Sequence, residues 1–194
     1  MKAGVLFSGG KDSGLTAVLL SRDYEIELNS FVFDPHRSIS HLEEAARILG
    51  FPLKKRVFPD DLLDIAVNTI QACGYPNQAI QMVHIRALEI LAREYEVIAD
   101  GTRFDDRVPR LTRDEVLSLQ DRSGCSYVRP LLGYGKREVD RLAGRHLKVQ
   151  YGESGTLENG DYEREIREEM ARLGKVPERF FPDRHRQSLV IGRV

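Results

Sequence analysis

Phe7-Ser8-Gly9-Gly10-Lys11-Asp12-Ser13 packs more chemistry into fewer residues than any other stretch of this chain. It directly follows a short apolar run and directly precedes a helical pattern. In such a turn Gly9 and Gly10 let the backbone bend sharply and approach a ligand without a Cβ in the way. The unpaired N–H groups of the helix start point into the turn, with the positive end of the helix dipole behind them. That is an anion site suited to phosphate. Lys11 adds a full positive charge, the Ser8 and Ser13 hydroxyls add donors, and Asp12 offers a carboxylate for Mg²⁺. The spacing is neither GxxxxGK[ST] nor GxGxxG, so it is neither a Walker A loop nor a dinucleotide fingerprint. Two glycines alone would make only a turn; six specified residues argue for a bound ligand.

The elements that must position this loop alternate short β-rich runs with longer helical patterns, the signature of βα units on a parallel sheet. Strands are expected at Ala3–Phe7, Leu28–Phe33, Leu53–Val57, Val97–Ala99 and Ser126–Val128, with a late one at Ser188–Ile191. Helices are expected over Asp12–Ser21, from Ser40 to Gly50, over Asp60–Ala72 and Asn77–Tyr95, from Thr112 toward Gln120, and over Lys136–His146 and Asp161–Leu173. Ser40 with Glu43, and Thr112 with Glu115, have the spacing of capping boxes. The Gly/Ser/Thr-rich stretch Tyr151–Gly160 is the nearest thing to a boundary. It divides residues 1–150, the ligand-binding domain, from residues 151–194, a helical tail packed on that domain or on a second subunit, so a homodimer is expected.

The chain has 194 residues, 41% of them hydrophobic and 30% charged, which excludes a disordered protein. Its 29 basic and 30 acidic side chains leave a net charge of −1, so it does not coat nucleic acid or membrane by charge alone. No apolar run reaches the roughly 18 residues of a membrane span, and the N-terminus is no secretory signal. A cytoplasmic protein without membrane attachment is expected. Cys73 and Cys125 lie far apart and form no zinc spacing, which fits a reducing compartment.

Ser8-Gly9-Gly10-Lys11-Asp12-Ser13 resembles the SGGxDS signature of the PP-loop (N-type) ATP pyrophosphatases, and the resemblance extends from about Met1 to about His146. Ala99-Asp100-Gly101-Thr102-Arg103-Phe104-Asp105-Asp106 is similar to that family's second nucleotide motif. Arg129-Pro130-Leu131 resembles a segment of its tRNA-modifying members, the thiolating and lysidine synthetase-like enzymes. The resemblance implies an adenine nucleotide alpha-hydrolase-like α/β fold: a doubly wound, mainly parallel five-stranded sheet of order 3-2-1-4-5 with helices on both faces. It implies ATP and Mg²⁺ as cofactors, and attack of a substrate oxygen on the α-phosphate with release of pyrophosphate. A nitrogen or sulfur nucleophile would then displace AMP. Lys11, Asp12 and Asp106 would be catalytic, with Asp12 and Asp106 the metal ligands and Asp105 an understudy. ATP would lie on Phe7, Ser8, Gly9, Gly10, Lys11, Asp12 and Ser13. The end of the second strand, Phe33 and Asp34, would border the adenosine from one side, and Gly101 and Thr102 from the other. Arg129 and Arg103 would face the substrate.

The chain departs from the thiolating members in its cysteines. Their catalytic cysteine would fall near Asn77-Gln78, where there is none; Cys73 lies about one helical turn earlier and reads as a structural thiol, as does Cys125. From Arg103 to Lys148 eleven basic residues face seven acidic ones, a local excess that an RNA backbone would favour. In the tail, Arg179, Arg184, His185 and Arg186 surround Phe180-Phe181-Pro182, a grouping that could stack on bases; a strand added to a sheet edge is the blander reading. Of the histidines, only His36 is expected near the site, and His41, His84, His146 and His185 read as structural. Three functions stay open: an adenylating enzyme of tRNA modification, with tRNA and a sulfur or amine donor protein as partners; an amide-forming ligase on a small carboxylic acid; and a nucleotide-binding regulatory module without turnover.

Overall fold

Strands β1 (Lys2–Leu6), β2 (Glu25–Val32), β3 (Leu53–Val57), β4 (Val97–Ala99) and β5 (Ser126–Val128) pair in parallel in the order β3-β2-β1-β4-β5. This is seen in a computed structural model that describes residues 1–153, 157–181 and 186–194. Val5 lies opposite Leu28 on one side and Ala99 on the other. The chain winds outward from β1 through β2 to β3, then returns to the other side of β1 for β4 and β5. The order therefore reverses at β1, and an open sheet of this kind leaves a crevice beyond the C-terminal ends of the strands on either side of the reversal.

Successive residues of a strand point to opposite faces, and both faces here are covered. Val5 and Leu28 pack with Leu15 of α1 (Lys11–Leu20), Ala46 and Leu49 of α2 (Ser40–Leu49) and Val139 of α6 (Lys136–His146). Leu6, Phe31 and Ile98 pack with α3 (Leu62–Cys73), α4 (Asn77–Leu91) and Leu119 of α5 (Arg113–Ser123). Ile166 and Met170 of α7 (Tyr162–Arg172) join this second cluster and are fully buried. No helix among the described residues is long and apolar enough to cross a membrane.

Two expectations need correction. Thr112 and Glu115 form a capping box, but Ser40 does not cap α2. That helix begins at Ser40 itself, because Ile39 at the cap position is buried against Val32 and Leu42. The late strand, β7 (Arg186–Arg193), adds to no edge of the parallel sheet. It pairs antiparallel with β6 (Leu147–Glu153), a strand that escapes the sequence reading because it follows α6 without a turn. The ribbon lies over α1 and α2, where Leu147 and Val190 bury with Leu15 and Leu49. Pro182, Arg184 and His185 of the expected stacking group, and residues 154–156 of the expected boundary, lie outside the described residues.

Candidate nucleotide site

The turn after β1 is drawn tight by its own serines. The Ser8 amide donates to Ser13 Oγ at 3.3 Å, the two hydroxyls lie 3.3 Å apart, and Ser13 Oγ donates to the Gly10 carbonyl at 3.2 Å. Gly9 has φ of +78°, a left-handed conformation that glycine adopts without strain. Gly10 caps α1 in an extended conformation and contributes no capping side chain.

The outer side of the turn is held by the C-terminal part of the chain. The Gly160 amide donates to the Ser8 carbonyl and the Val190 amide to the Gly9 carbonyl, both at 2.8 Å. The Lys11 amide donates to the Ser188 hydroxyl at 3.1 Å. Lys11 turns inward: its side chain is 5% exposed, with the ammonium 2.5 Å from Asp12 Oδ1 and 3.1 Å from Asp140 Oδ1 of α6. A buried cation held by two carboxylates is a scaffold feature before it is a ligand contact.

The second motif approaches the same turn. A Cβ on Gly101 would lie 2.8 Å from the Asp12 carbonyl carbon and 2.9 Å from the Ser13 nitrogen, so only glycine lets the chain leaving β4 rest on the first turn of α1. Asp100, buried just before it, accepts from the Thr102 amide at 2.9 Å and from the Tyr127 hydroxyl at 2.5 Å. His84 Nε2 of α4 lies 2.7 Å from Asp100 Oδ2, and the Thr16 hydroxyl donates to the Asp100 carbonyl at 3.3 Å. Burial pushes the Asp100 carboxyl up, but the hydrogen bonds and charge of His84, Tyr127 and the Thr102 amide outweigh it and hold the group below the ordinary carboxylate range.

Mg²⁺ is implied by the family resemblance, and the carboxylates expected to bind it are already engaged. Arg103 donates to Asp106 through its amide at 2.7 Å and through its guanidinium, and its Nε lies 3.7 Å from both Asp12 Oδ2 and Asp105 Oδ1. The guanidinium takes the position between Asp12 and Asp106 that a divalent ion would need. As arranged, this pair does not fit Mg²⁺. No group of three or more metal-binding side chains occurs among the described residues.

Between the two motifs lies a cavity of about 650 Å³, within the range of roughly 300–1,000 Å³ common for small-molecule sites. Phe7, Ser8, Asp12 and Ser13 line it from the first motif, and Gly101, Thr102 and Asp106 from the second. Leu6, Phe31, Ile80 and Phe180 supply an apolar wall, and Arg107 and Pro109 lie on the same lining. Gly9, Gly10 and Lys11 shape the turn behind the cavity and are not part of that lining.

Other predicted residues are placed elsewhere. Phe33 and Asp34 are outside the lining; both amides donate to Glu165 Oε2 of α7 at 3.0 Å, and the Phe33 ring packs on Phe58. Arg129 faces a separate groove, with Nη1 on the Leu111 carbonyl at 3.2 Å. Cys73 Sγ donates to Gln78 Oε1 at 2.9 Å, Cys125 is buried in the core, and His36 is an exposed turn residue. His84, read as structural, lines the cavity. Its spacing from Asn77 and Ile80, seven and four residues, places all three on one face of α4 and was the available signal. For Glu165 the sequence carried no signal, because its partners lie 131 and 132 residues away.

The model of a family of unknown function, DUF7411, matches residues 1–192. An uncharacterized protein of Methanocaldococcus jannaschii, MJ0690, is 42% identical over 193 residues, which is 99% of this chain and 96% of that protein. A solved structure from the same organism, described as a predicted subunit of tRNA methyltransferase, superposes with a TM-score of 0.91 at 40% identity, covering 100% of this chain and 98% of that one. An NH3-dependent NAD synthetase from Campylobacter jejuni is 16% identical with a TM-score of 0.48, over 74% of this chain and 62% of that one.

Proposed function

The chain belongs to the family of unknown function DUF7411, and we propose that it binds ATP between its two motifs and transfers AMP to an oxygen of an RNA substrate. The observation that carries this reading is the convergence on one cavity of Ser8, Asp12 and Ser13 with Gly101, Thr102 and Asp106. The 40% identical structure, described as a predicted subunit of tRNA methyltransferase, supports an RNA setting.

In this reading the base rests on Leu6, Phe31, Ile80 and Phe180, and the triphosphate runs toward the turn after β1. A substrate oxygen attacks the α-phosphorus, the new P–O bond forms, and the bond to the β-phosphate oxygen breaks. Charge accumulates on the departing pyrophosphate, so the Ser8 hydroxyl and Arg107 act more strongly in the transition state than before it. A nitrogen or sulfur nucleophile, brought by a donor protein, then displaces AMP; thiolation of tRNA is one such outcome. His84, oriented by Asp100, is the cavity group suited to take the proton that this nucleophile loses.

The test is to incubate the protein with bulk tRNA and ATP labelled at the α- or γ-phosphate. Pyrophosphate and AMP are expected; ADP and phosphate would overturn the reaction class. A second reading, a nucleotide-binding subunit without turnover, is favoured by Lys11 locked on Asp140, Arg103 locked on Asp106, and Glu165 on the Phe33 and Asp34 amides. Calorimetric ATP binding with no pyrophosphate in the presence of tRNA would select it.

A further inference from the structure

We propose that Arg110, Arg113 and Arg129 form a groove for the backbone phosphates of a single-stranded RNA and lead that strand to the mouth of the cavity. The three arginines come from the loop after β4, the first residue of α5 and the residue after β5. They line one groove of about 440 Å³ over an apolar floor of Leu111, Val116 and Leu132.

These three arginines share one groove and have no acidic partner among the described residues. Other guanidiniums of the chain are paired with acids, Arg37 with Glu168, Arg47 with Glu44, Arg141 with Glu138 and Arg172 with Glu169 among them. In the groove, Arg110 reaches the Phe104 carbonyl at 3.4 Å and Arg129 the Leu111 carbonyl at 3.2 Å, and no acidic partner occurs for any of the three among the described residues. The neighbouring acids are engaged or turned aside. Glu115 closes the cap on Thr112, Asp105 accepts from the Lys136 backbone amide, Asp106 pairs with Arg103, and Asp114 faces the adjoining groove beside Arg122. Three cations gathered around one groove repel each other until an anion enters. Arg129 is held over the Tyr127 ring at 5.1 Å, which fixes the direction of its fork.

The surroundings identify the anion. Arg107 and Pro109 line the cavity and Arg110 lines the groove, so the two are continuous along the chain. Beside them Phe104 is 63% exposed and Tyr134 41% exposed, and the Phe104 amide donates to the Tyr134 carbonyl at 3.0 Å. Exposed aromatic faces next to a cationic groove are what an unpaired strand needs: stacking for bases and charge for phosphates. The proposed adenylation enters only in what the RNA does once bound.

The test is fluorescence anisotropy with a labelled, unstructured RNA oligonucleotide, in the absence of ATP, at several salt concentrations. Three phosphate contacts predict a slope of log affinity against log salt of about −2. The double variant Arg110→Gln/Arg113→Gln is expected to bind about tenfold more weakly, with the slope reduced to about −1. Phe104→Ala should weaken binding with the slope unchanged, and Arg47→Gln, which is paired elsewhere, should do nothing. An unaltered melting temperature excludes misfolding. No binding by the natural protein at low salt, or a double variant within twofold of it, overturns the groove; binding of a protein partner there instead does the same. RNA binding as expected here, together with no pyrophosphate in the separate assay with bulk tRNA and labelled ATP, would sink the adenylation reading and leave the groove standing.

Discussion

β4 and β2 both end at the C-terminal edge of the sheet, and each end is closed by a buried carboxylate, but the two carboxylates are held in different ways. Asp100 belongs to the strand end it closes and meets donors from α4, from β5 and from its own loop. Glu165 arrives from α7 and accepts the Phe33 and Asp34 amides, with the Arg37 guanidinium 4.0 Å away. Burial pushes Glu165 up, and the two amides and Arg37 only partly offset it, so its carboxyl lies above the ordinary range while that of Asp100 lies below. One strand end is built into the frame. The other is stoppered by a separate element.

The largest effect should come from breaking the built-in end. Asp100→Ala leaves His84 and Tyr127 facing a void that neither can fill, and such a loss costs about 3–5 kcal/mol. Urea unfolding measures it; a loss under about 1 kcal/mol would mean that the network contributes no more than a surface pair.

The two carboxylates should also give pH dependence of opposite sign. The Asp100 carboxyl is depressed on folding, so its contribution is fully present above the ordinary aspartate range and is lost as pH falls through its lower folded value. Glu165 is raised, so folding favours its protonated form, and stability falls as pH rises from the ordinary glutamate range through its higher folded value. A tenfold difference in proton affinity between the folded and unfolded chain corresponds to about 1.4 kcal/mol. Unfolding curves of Asp100→Asn and Glu165→Gln across acid pH should separate the two slopes, and slopes of one sign in both would remove the contrast.

A smaller effect tests the hold of β7 on the first turn. Ser188→Ala removes the acceptor for the Lys11 amide and is expected to cost about 1 kcal/mol of stability. If the freed amide serves phosphate, ATP should bind no worse. Weaker ATP binding would show that the ribbon positions the turn rather than competing with its ligand.

How much of this was legible in the sequence follows from the range of the interactions. The turn Ser8–Ser13 was readable because its serines bond to each other across five residues, and the parallel strands because short apolar runs alternate with helical spacing. Thr112 and Glu115 were readable for the same local reason. Ser40 failed because burial of Ile39, a tertiary event, moved the helix start. The engagement of Lys11 with Asp140, of Arg103 with Asp12 and of Glu165 with Phe33 depends on contacts between distant parts of the chain, which no local spacing encodes. β6 was missed because its pattern of Leu147, Val149 and Tyr151 becomes a strand only when β7 returns beside it.

The smallest expected effect bears most directly on function. If the nucleotide uses the end of β2, as the family resemblance implies, Glu165 competes with it for the same two amides. Glu165→Gln keeps an oxygen that can accept from Phe33 and Asp34 but removes the negative charge, leaving the strand end occupied and less hostile to a triphosphate. ATP should then bind a few-fold tighter, which corresponds to less than about 1.4 kcal/mol. Glu165→Ala, which vacates both amides, should tighten it further. Calorimetric titration at fixed pH reads both variants. Affinity that stays constant through the series would mean that the base rests wholly on the apolar wall of Leu6, Phe31, Ile80 and Phe180. The stopper at β2 would then be a structural tie between α7 and the sheet, equivalent in role to Asp100 despite its opposite titration.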